Sequence, residues 1–385
     1  MSKIFSLQGR GLKLNTRADI EPHLKDVPTT IEEIHLGGNT IGVEAAQTLA
    51  EFLSKTTALR VADFADIFTG RLISEIPQAL SAICDALIPK TTLIEIDLSD
   101  NAFGGRSVDP MVPFLTNNRA FRILKLNNNG LGPAGGAIVA NALLKSAELS
   151  AAAGERSNLR TVICGRNRLE DGAAPAWAAA LSAHGGLTEV RMPQNGIRMA
   201  GAAALAHGLA ACADLEHLDL QDNTFGEAGS AAMATALRSW PSLRHLNLSD
   251  CVLADEGSSV SPVLEVLASG SNPKLETLLL QNNNLETQSY ALLAEGLEVH
   301  LPVLKMLEVQ WNEIEEDDEG IAALLRLMKK RGGKIIVDDE EEEEEEKEEE
   351  EEAKATEVDK LSKKDAADKE ADELADLLGK VQIKS

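Results

Sequence analysis

The chain has 385 residues, is 44% hydrophobic, and carries a formal net charge of −25 with a pI near 4.7. Such an acidic chain excludes nucleic acid as a primary partner, because phosphate binding needs a basic face, and a basic protein surface suits it better. Aromatic residues make up only 3%, which favours a core packed from small aliphatic side chains.

The opening stretch, MSKIFSLQGRGLKLN, has no apolar signal-peptide core, and no apolar run reaches the roughly 18 residues of a membrane span. A soluble, intracellular protein with no membrane association is expected. Cys84, Cys164, Cys212 and Cys251 are far apart and form no CxxC pair, so they read as reduced structural thiols rather than a zinc site or disulfide framework.

Residues 1–30 are expected to form an N-terminal cap. From residue 31 the phrase LxxLxLxxN recurs, as IEEIHLGGN, LIEIDLSDN, FRILKLNNN, LTEVRMPQN, LEHLDLQDN, LETLLLQNN and LKMLEVQWN, with the variants LRTVICGRN and LRHLNLSDC. Its last position falls at Asn39, Ile67, Asn101, Asn129, Asn167, Asn195, Asn223, Cys251, Asn283 and Asn312, at spacings of 28, 34, 28, 38, 28, 28, 28, 32 and 29. This periodicity is that of a leucine-rich repeat whose unit of about 28 residues carries a helix.

The fold class is therefore α/β, a leucine-rich repeat solenoid, or horseshoe. The alternating L-x-L is a short strand, and stacked strands make a parallel sheet on the concave side. The asparagine ladder turns inward to bond backbone groups of neighbouring turns. Convex helices follow: GVEAAQTLAEFL places Ala46, Leu49, Ala50 and Leu53 on one face, and GSAAMATALRSW places Ala232, Met233, Ala236 and Leu237 on one face. Two repeats are enlarged. The one after Ile67 opens with FTGR, and the one after Asn129 contains KSAELSAAAGERSN, polar enough to predict a surface loop.

The leucine-rich domain with its C-terminal cap is expected over 31–337, the cap itself being 313–337, because solenoid ends need covering. Residues 338–385 are expected to form a disordered, charged tail. Asp338 to Glu352 hold 14 acidic residues and one lysine, and KEADELADLLGKV beyond them could form a short amphipathic helix.

No enzyme motif is present: no P-loop, GxSxG, HExxH or Cys/His cluster. Repeat proteins bind through the concave face and its rims, so the residue before each ladder position is informative. These are Gly38, Asp66, Asp100, Asn128, Arg166, Gln194, Asp222, Asp250, Asn282 and Trp311. Asp66, Asp100, Asp222 and Asp250 either solvate turns or form an acidic edge for a basic partner. Arg71, after Gly70, either pairs with Asp63 or Asp66 or faces an anionic ligand. Asn128 either serves the turn or offers its amide to a partner.

DIFTGR, LSDNAFG, NNGLGP, ICGRNRLE, LDLQDNTF and SWPSLR, in this order and followed by a glutamate-rich tail, resemble the fungal Ran GTPase-activating proteins across essentially the whole chain. The resemblance implies an activator of GTP hydrolysis by the small GTPase Ran. The chain would then not be an enzyme with its own GTPase site and would have no cofactor, since GTP and Mg²⁺ are held by Ran. It implies Ran in its GTP form as partner, with a Ran-binding protein of the RanBP1 class completing a ternary complex. The implied setting is nucleocytoplasmic transport, in the cytoplasm and at the periphery of the nuclear envelope.

The resemblance also implies catalysis without an arginine finger. Asn128, in the NNGLGP phrase, would fix Ran's own catalytic glutamine, while Arg71 would support the interface and the ordering of Ran's switch regions. Asp66, Asp100, Arg166, Asp222 and Asp250 are the expected partner-binding rim. The alternative from a different class is a non-catalytic scaffold or inhibitor of the ribonuclease-inhibitor type.

Overall fold

The computed structural model describes residues 3–105, 107–254, 260–315 and 317–338. Met1–Ile335 form one compact unit, and of the second, Ile336–Ser385, only the first three residues are described. The expected acidic run beyond Asp338 and the amphipathic segment after it lie outside the described residues.

Each L-x-L phrase forms a three-residue strand. In chain order these are β1 (Ile4–Ser6), β3 (Glu33–His35), β5 (Val61–Asp63), β6 (Glu95–Asp97), β7 (Ile123–Lys125), β8 (Thr161–Ile163), β9 (Glu189–Arg191), β10 (His217–Asp219), β11 (His245–Asn247), β12 (Thr277–Leu279), β13 (Met306–Glu308) and β14 (Lys334–Ile336). They line up in this order in one 12-stranded sheet, and β2 (Lys13–Leu14) pairs with β4 (Thr40–Ile41) in a second, two-stranded one. Neighbouring strands are parallel and in register, for instance Ile96 against Leu124 and Leu124 against Val162. From β3 on, the central residue of each strand of this sheet points inward, so Ile34, Ile96, Leu124, Val190, Leu218 and Leu278 are fully buried, whereas Phe5 at the centre of the edge strand β1 is only half-buried. The two flanking residues face the other way, as a period of two requires.

Helices return the chain on the opposite side: α1 (Arg17–Leu24), α2 (Val43–Lys55), α3 (Ile76–Leu87), α4 (Val112–Asn117), α5 (Gly132–Ala152), α6 (Glu170–His184), α7 (Met199–Leu209), α8 (Gly226–Leu237), α9 (Pro262–Ala268), α10 (Thr287–Val299) and α11 (Glu319–Arg331). Ala46, Leu49 and Leu53 of α2, and Ala232, Met233, Ala236 and Leu237 of α8, are buried as their spacing predicts, whereas Ala50 is only half-buried. One expectation is corrected. The insertion after Asn129 is not a loop over its whole length, because Lys145–Ala152 continue α5 to 21 residues. Ser146, Ala147 and Ser150 are buried there. Small residues let this polar-looking stretch pack against a neighbouring helix at little desolvation cost.

The asparagine ladder joins the turns. The Asn129 amide donates to the carbonyls of Leu98 (3.0 Å) and Leu126 (3.1 Å) and accepts from the Asn101 backbone N–H (2.9 Å). Such buried backbone groups cannot be left unpaired without a cost of about 1–3 kcal/mol each. At Cys251 the thiol takes over part of this role, reaching the carbonyls of Leu220 (3.4 Å) and Ser249 (3.3 Å). Ile67 has no polar group to offer and simply fills the position, fully buried.

A second row of bonds crosses the opposite ends of the repeats, where helices finish and leave carbonyls unpaired. Lys90 Nζ donates to the carbonyls of Ser54 (3.0 Å) and Thr56 (2.6 Å) at the end of α2. Asn118 does the same for Leu87 after it (2.8 Å), Trp240 for Leu209 (3.0 Å), Asn272 for Leu237 (3.0 Å), and Arg331 for Leu301 (2.6 Å). The residue types differ, but each supplies an N–H to the preceding repeat.

Candidate functional site

The rim next to the ladder has one local geometry throughout. Gly38, Asp66, Asp100, Asn128, Arg166, Gln194, Asp222, Asp250, Asn282 and Trp311 all have positive φ, between 48° and 73°. Glycine, asparagine and aspartate tolerate this left-handed conformation, so their recurrence here has a backbone cause. Larger residues adopt it at a cost of about 1 kcal/mol or more, which marks Arg166, Gln194 and Trp311 as side chains kept for another reason.

Asn128, with φ 52°, sits on this rim and is exposed. Its backbone N–H donates to the Gly165 carbonyl (2.9 Å), which fixes the turn to the next repeat. Its side-chain Nδ2 donates to Asp100 Oδ1 (2.9 Å), one repeat back. Asp100 itself is exposed and anchored by its N–H on the Asn127 carbonyl (2.8 Å). The Asn128 amide is thus aimed by a neighbour, and its oxygen has no protein partner among the described residues. It is a rigidly mounted group offering an acceptor and one further donor. Adjacent Asn129 is fully buried and belongs to the ladder.

Arg71 lies elsewhere. Gly70, at φ 78°, makes the turn in which Arg71 N–H donates to the Phe68 carbonyl (3.0 Å). The guanidinium then folds back across the solenoid rather than pairing with Asp63 or Asp66. Its Nε donates to Thr40 Oγ1 (2.8 Å), and Nη2 donates to the carbonyls of Thr40 (3.0 Å) and Leu14 (3.4 Å). Gly42 leaves room for it, since a Cβ there would stand 3.0 Å from Arg71 Nη1. Asp66 instead accepts from the Thr69 hydroxyl, and Asp63 from the His35 ring (3.2 Å). The structure therefore joins Asn128 to Asp100, ties Arg71 to Thr40 and Leu14, and makes no bond between the two groups.

Of the remaining rim residues, Arg166 and Asp222 are exposed, with their N–H groups held by the carbonyls of Pro193 (2.9 Å) and Ser249 (3.0 Å). Asp250 accepts from Asn282 Nδ2 (2.8 Å) and Gln221 Nε2 (3.3 Å). The pairing of Asp250 with Asn282 repeats the arrangement of Asp100 with Asn128.

The outward row of the strands carries charge that the rim-based reading passed over. His35 lies between Glu33 (3.1 Å) and Asp63 (3.2 Å). Burial alone would lower its pKa, but the two carboxylates outweigh that and raise it. Lys125 pairs with Glu95 (2.5 Å), with Asp97 at 4.0 Å. Further along, the rings of His217 and His245 stack at 4.0 Å. Desolvation first, then mutual repulsion and nearby Arg191, push His217 down to about 3. The period-two alternation of EIH, VAD, EID and HLD could have flagged these residues. Only the register could show which of them meet. Among the described residues no group of three or more His, Cys, Asp or Glu is placed to hold a metal, and no helix is long and apolar enough to cross a membrane.

The leucine-rich repeat family model matches residues 27–50, 211–234 and 241–259. The resemblance read from the sequence is borne out. The chain is 43% identical over 49% of its length to a Xenopus laevis protein named Ran GTPase-activating protein 1, of which the match covers 34%. It is 37% identical over 50% of its length to the Saccharomyces cerevisiae protein of that name, covering 49% of it. A Drosophila melanogaster Ran GTPase-activating protein is 37% identical over 49% of this chain and 33% of its own. The match thus spans half or less of these relatives' own length.

Proposed function

We propose that this leucine-rich repeat chain, similar over about half its length to Ran GTPase-activating proteins, stimulates GTP hydrolysis by Ran through its rim. The observation that carries the reading is Asn128: exposed, mounted in a left-handed turn, aimed by Asp100 at 2.9 Å, and with its amide oxygen uncommitted.

Phosphoryl transfer asks mostly for positioning and charge stabilisation. A primary amide can hold another amide through one donor and one acceptor, fixing a single orientation. Asn128 would hold Ran's catalytic glutamine in the pose that orients the attacking water, so that part of the entropic barrier is met on binding. The nucleotide and Mg²⁺ would be Ran's throughout.

Arg71 acts as a positioning residue in this scheme. Its bonds to Thr40 and Leu14 brace the enlarged turn after Ile67 against the preceding repeat, and so hold that part of the rim in shape. It does not enter the nucleotide site. The exposed acids Asp100 and Asp222 and the half-buried Asp66 and Asp250, with Arg166 among them, would meet the partner's basic surface and speed association. Ran in its GTP form and a Ran-binding protein of the RanBP1 class are the proposed partners, in the cytoplasm.

The test is single-turnover hydrolysis by Ran loaded with GTP, with the chain at substoichiometric amounts. Stimulation that turns over is expected, and Asn128→Ala should lower its maximal rate more than it weakens binding. No stimulation at any concentration would leave the scaffold or inhibitor reading in its place.

A further inference from the structure

The rim mounts a second amide in the way it mounts Asn128. Five repeats further on, about 24 Å along the sheet at the usual strand spacing, Asn282 is exposed and has φ 48°. Its backbone N–H donates to the Gln310 carbonyl (3.1 Å) in the next repeat, as that of Asn128 does to Gly165 (2.9 Å). Its Nδ2 donates to Asp250 Oδ1 (2.8 Å) one repeat back, as that of Asn128 does to Asp100 Oδ1 (2.9 Å). The amide oxygen and the second Nδ2 hydrogen of Asn282 have no protein partner among the described residues.

This second mount is held at more points than the first. Asp250 is half-buried, and its other oxygen accepts from Gln221 Nε2 (3.3 Å). Gln221 Oε1 accepts in turn from Asn247 Nδ2 (3.3 Å), and Asn247, which is buried, is tied by its Oδ1 to the Ser249 N–H (3.0 Å). Side chains thus run in a bonded chain from the concave wall, through Asn247, Gln221 and Asp250, to the exposed amide. A left-handed turn needs none of them. Arg166, Gln194 and Asp222, between the two mounts, also have positive φ and hydrogen-bond through backbone groups alone among the described residues. Nor does an exposed amide–carboxylate bond add much to stability, since water competes for both groups. What the bonded chain does is fix where the free oxygen and hydrogen of Asn282 point.

A carboxamide held with one acceptor and one donor free matches a peptide unit, which offers one of each. Little side-chain freedom remains to be lost on binding, so both new bonds go into affinity. The two mounts occupy the same position of in-register repeats, and hence the same side of the solenoid. A GTPase domain of about 170 residues is about 40 Å across and reaches both. We propose that Asn282, positioned by Asp250, grips a backbone peptide unit of the partner that Asn128 engages, so that Asn282 sets affinity and Asn128 sets rate. The identity of that partner, Ran, rests on the function proposed above.

Two measurements on the full chain keep the two proposals apart. One is binding to Ran loaded with a non-hydrolysable GTP analogue, and the other is the maximal rate of single-turnover hydrolysis. Asn282→Gly, which keeps the left-handed turn, should weaken binding about tenfold with the maximal rate and the urea midpoint unchanged. Asp250→Gly should weaken binding about threefold, and Asp250→Asn, which can still turn a carbonyl oxygen to Asn282, should regain most of it. Asn282→Asp keeps the shape and an acceptor but loses the donor, and should bind as poorly as Asn282→Gly.

Unchanged binding in Asn282→Gly would overturn the proposal. A fall in its maximal rate equal to the fall in binding would do the same, by moving Asn282 into the rate-setting contact. Wild-type affinity in Asn282→Asp would show that charge is read there instead of an amide. If the wild-type chain binds Ran without stimulating it, the role given to Asn128 fails and the binding comparison still decides that of Asn282. If it does not bind Ran at all, both fall.

Discussion

Asn128 and Asn129 are adjacent and chemically identical, and their replacement should have opposite consequences. Asn129→Ala removes two donated bonds and one accepted bond in a fully buried site. The carbonyls of Leu98 and Leu126 keep a second donor each, from Asn101 (2.9 Å) and Asn167 (2.8 Å). The Asn101 N–H is left with none. The two donated bonds at about 1 kcal/mol net each, plus about 1–3 kcal/mol for the orphaned Asn101 N–H, amount to a loss of about 3–5 kcal/mol. Asn128→Gly keeps the left-handed turn and removes only an exposed side chain, so stability should change by less than about 1 kcal/mol.

Urea unfolding followed by circular dichroism measures the first effect, and single-turnover hydrolysis by Ran measures the second. At temperatures where both variants are folded, Asn129→Ala should retain its maximal stimulated rate, whereas Asn128→Gly should lose about 10²-fold. Equal destabilisation by the two substitutions, or full stimulation by Asn128→Gly, would refute the division into a ladder residue and a presented one.

Two further outcomes are expected. Asp100→Ala, which removes the acceptor aiming the Asn128 amide, should slow the stimulated step about fivefold, as befits one exposed hydrogen bond, while Asp100→Asn keeps an acceptor and the left-handed turn and should retain most of the rate; equal rates for the two variants would remove Asp100 from the mechanism. Burial holds His184 down to about 4 from its ordinary 6.5, against the opposing pull of the Leu143 carbonyl. A folded-state pKa below the unfolded one means that the unfolded chain binds the proton first. This contribution, about 3 kcal/mol in full, is present above pH 6.5 and is lost as pH falls to about 4. Denaturant titrations across that window should show the loss in the wild type and a smaller one in His184→Gln.

The repeat, the strand positions and the ladder were legible in the sequence, because stacking imposes one chemistry at one spacing. A leucine that must face inward and an asparagine that must meet the next turn recur whatever surrounds them. The rim could be read for the same reason, down to its aspartates and asparagines, which a left-handed backbone selects. Tertiary structure alone decided what happens between repeats where the spacing is not shared. Arg71 has a long side chain with many rotamers, and nothing in FTGR says that it folds back 31 residues to Thr40 instead of pairing with Asp63 or Asp66. Lys145–Ala152 look polar enough for a loop, yet a neighbouring helix surface makes them helix. Lysine, asparagine, tryptophan and arginine all finish the preceding helix, and a sequence pattern cannot group them because what they share is an N–H delivered to one point in space. The local backbone follows from residue type and period. Which side chains meet, and so which amide is aimed at a partner, depends on contacts set only when the turns are stacked.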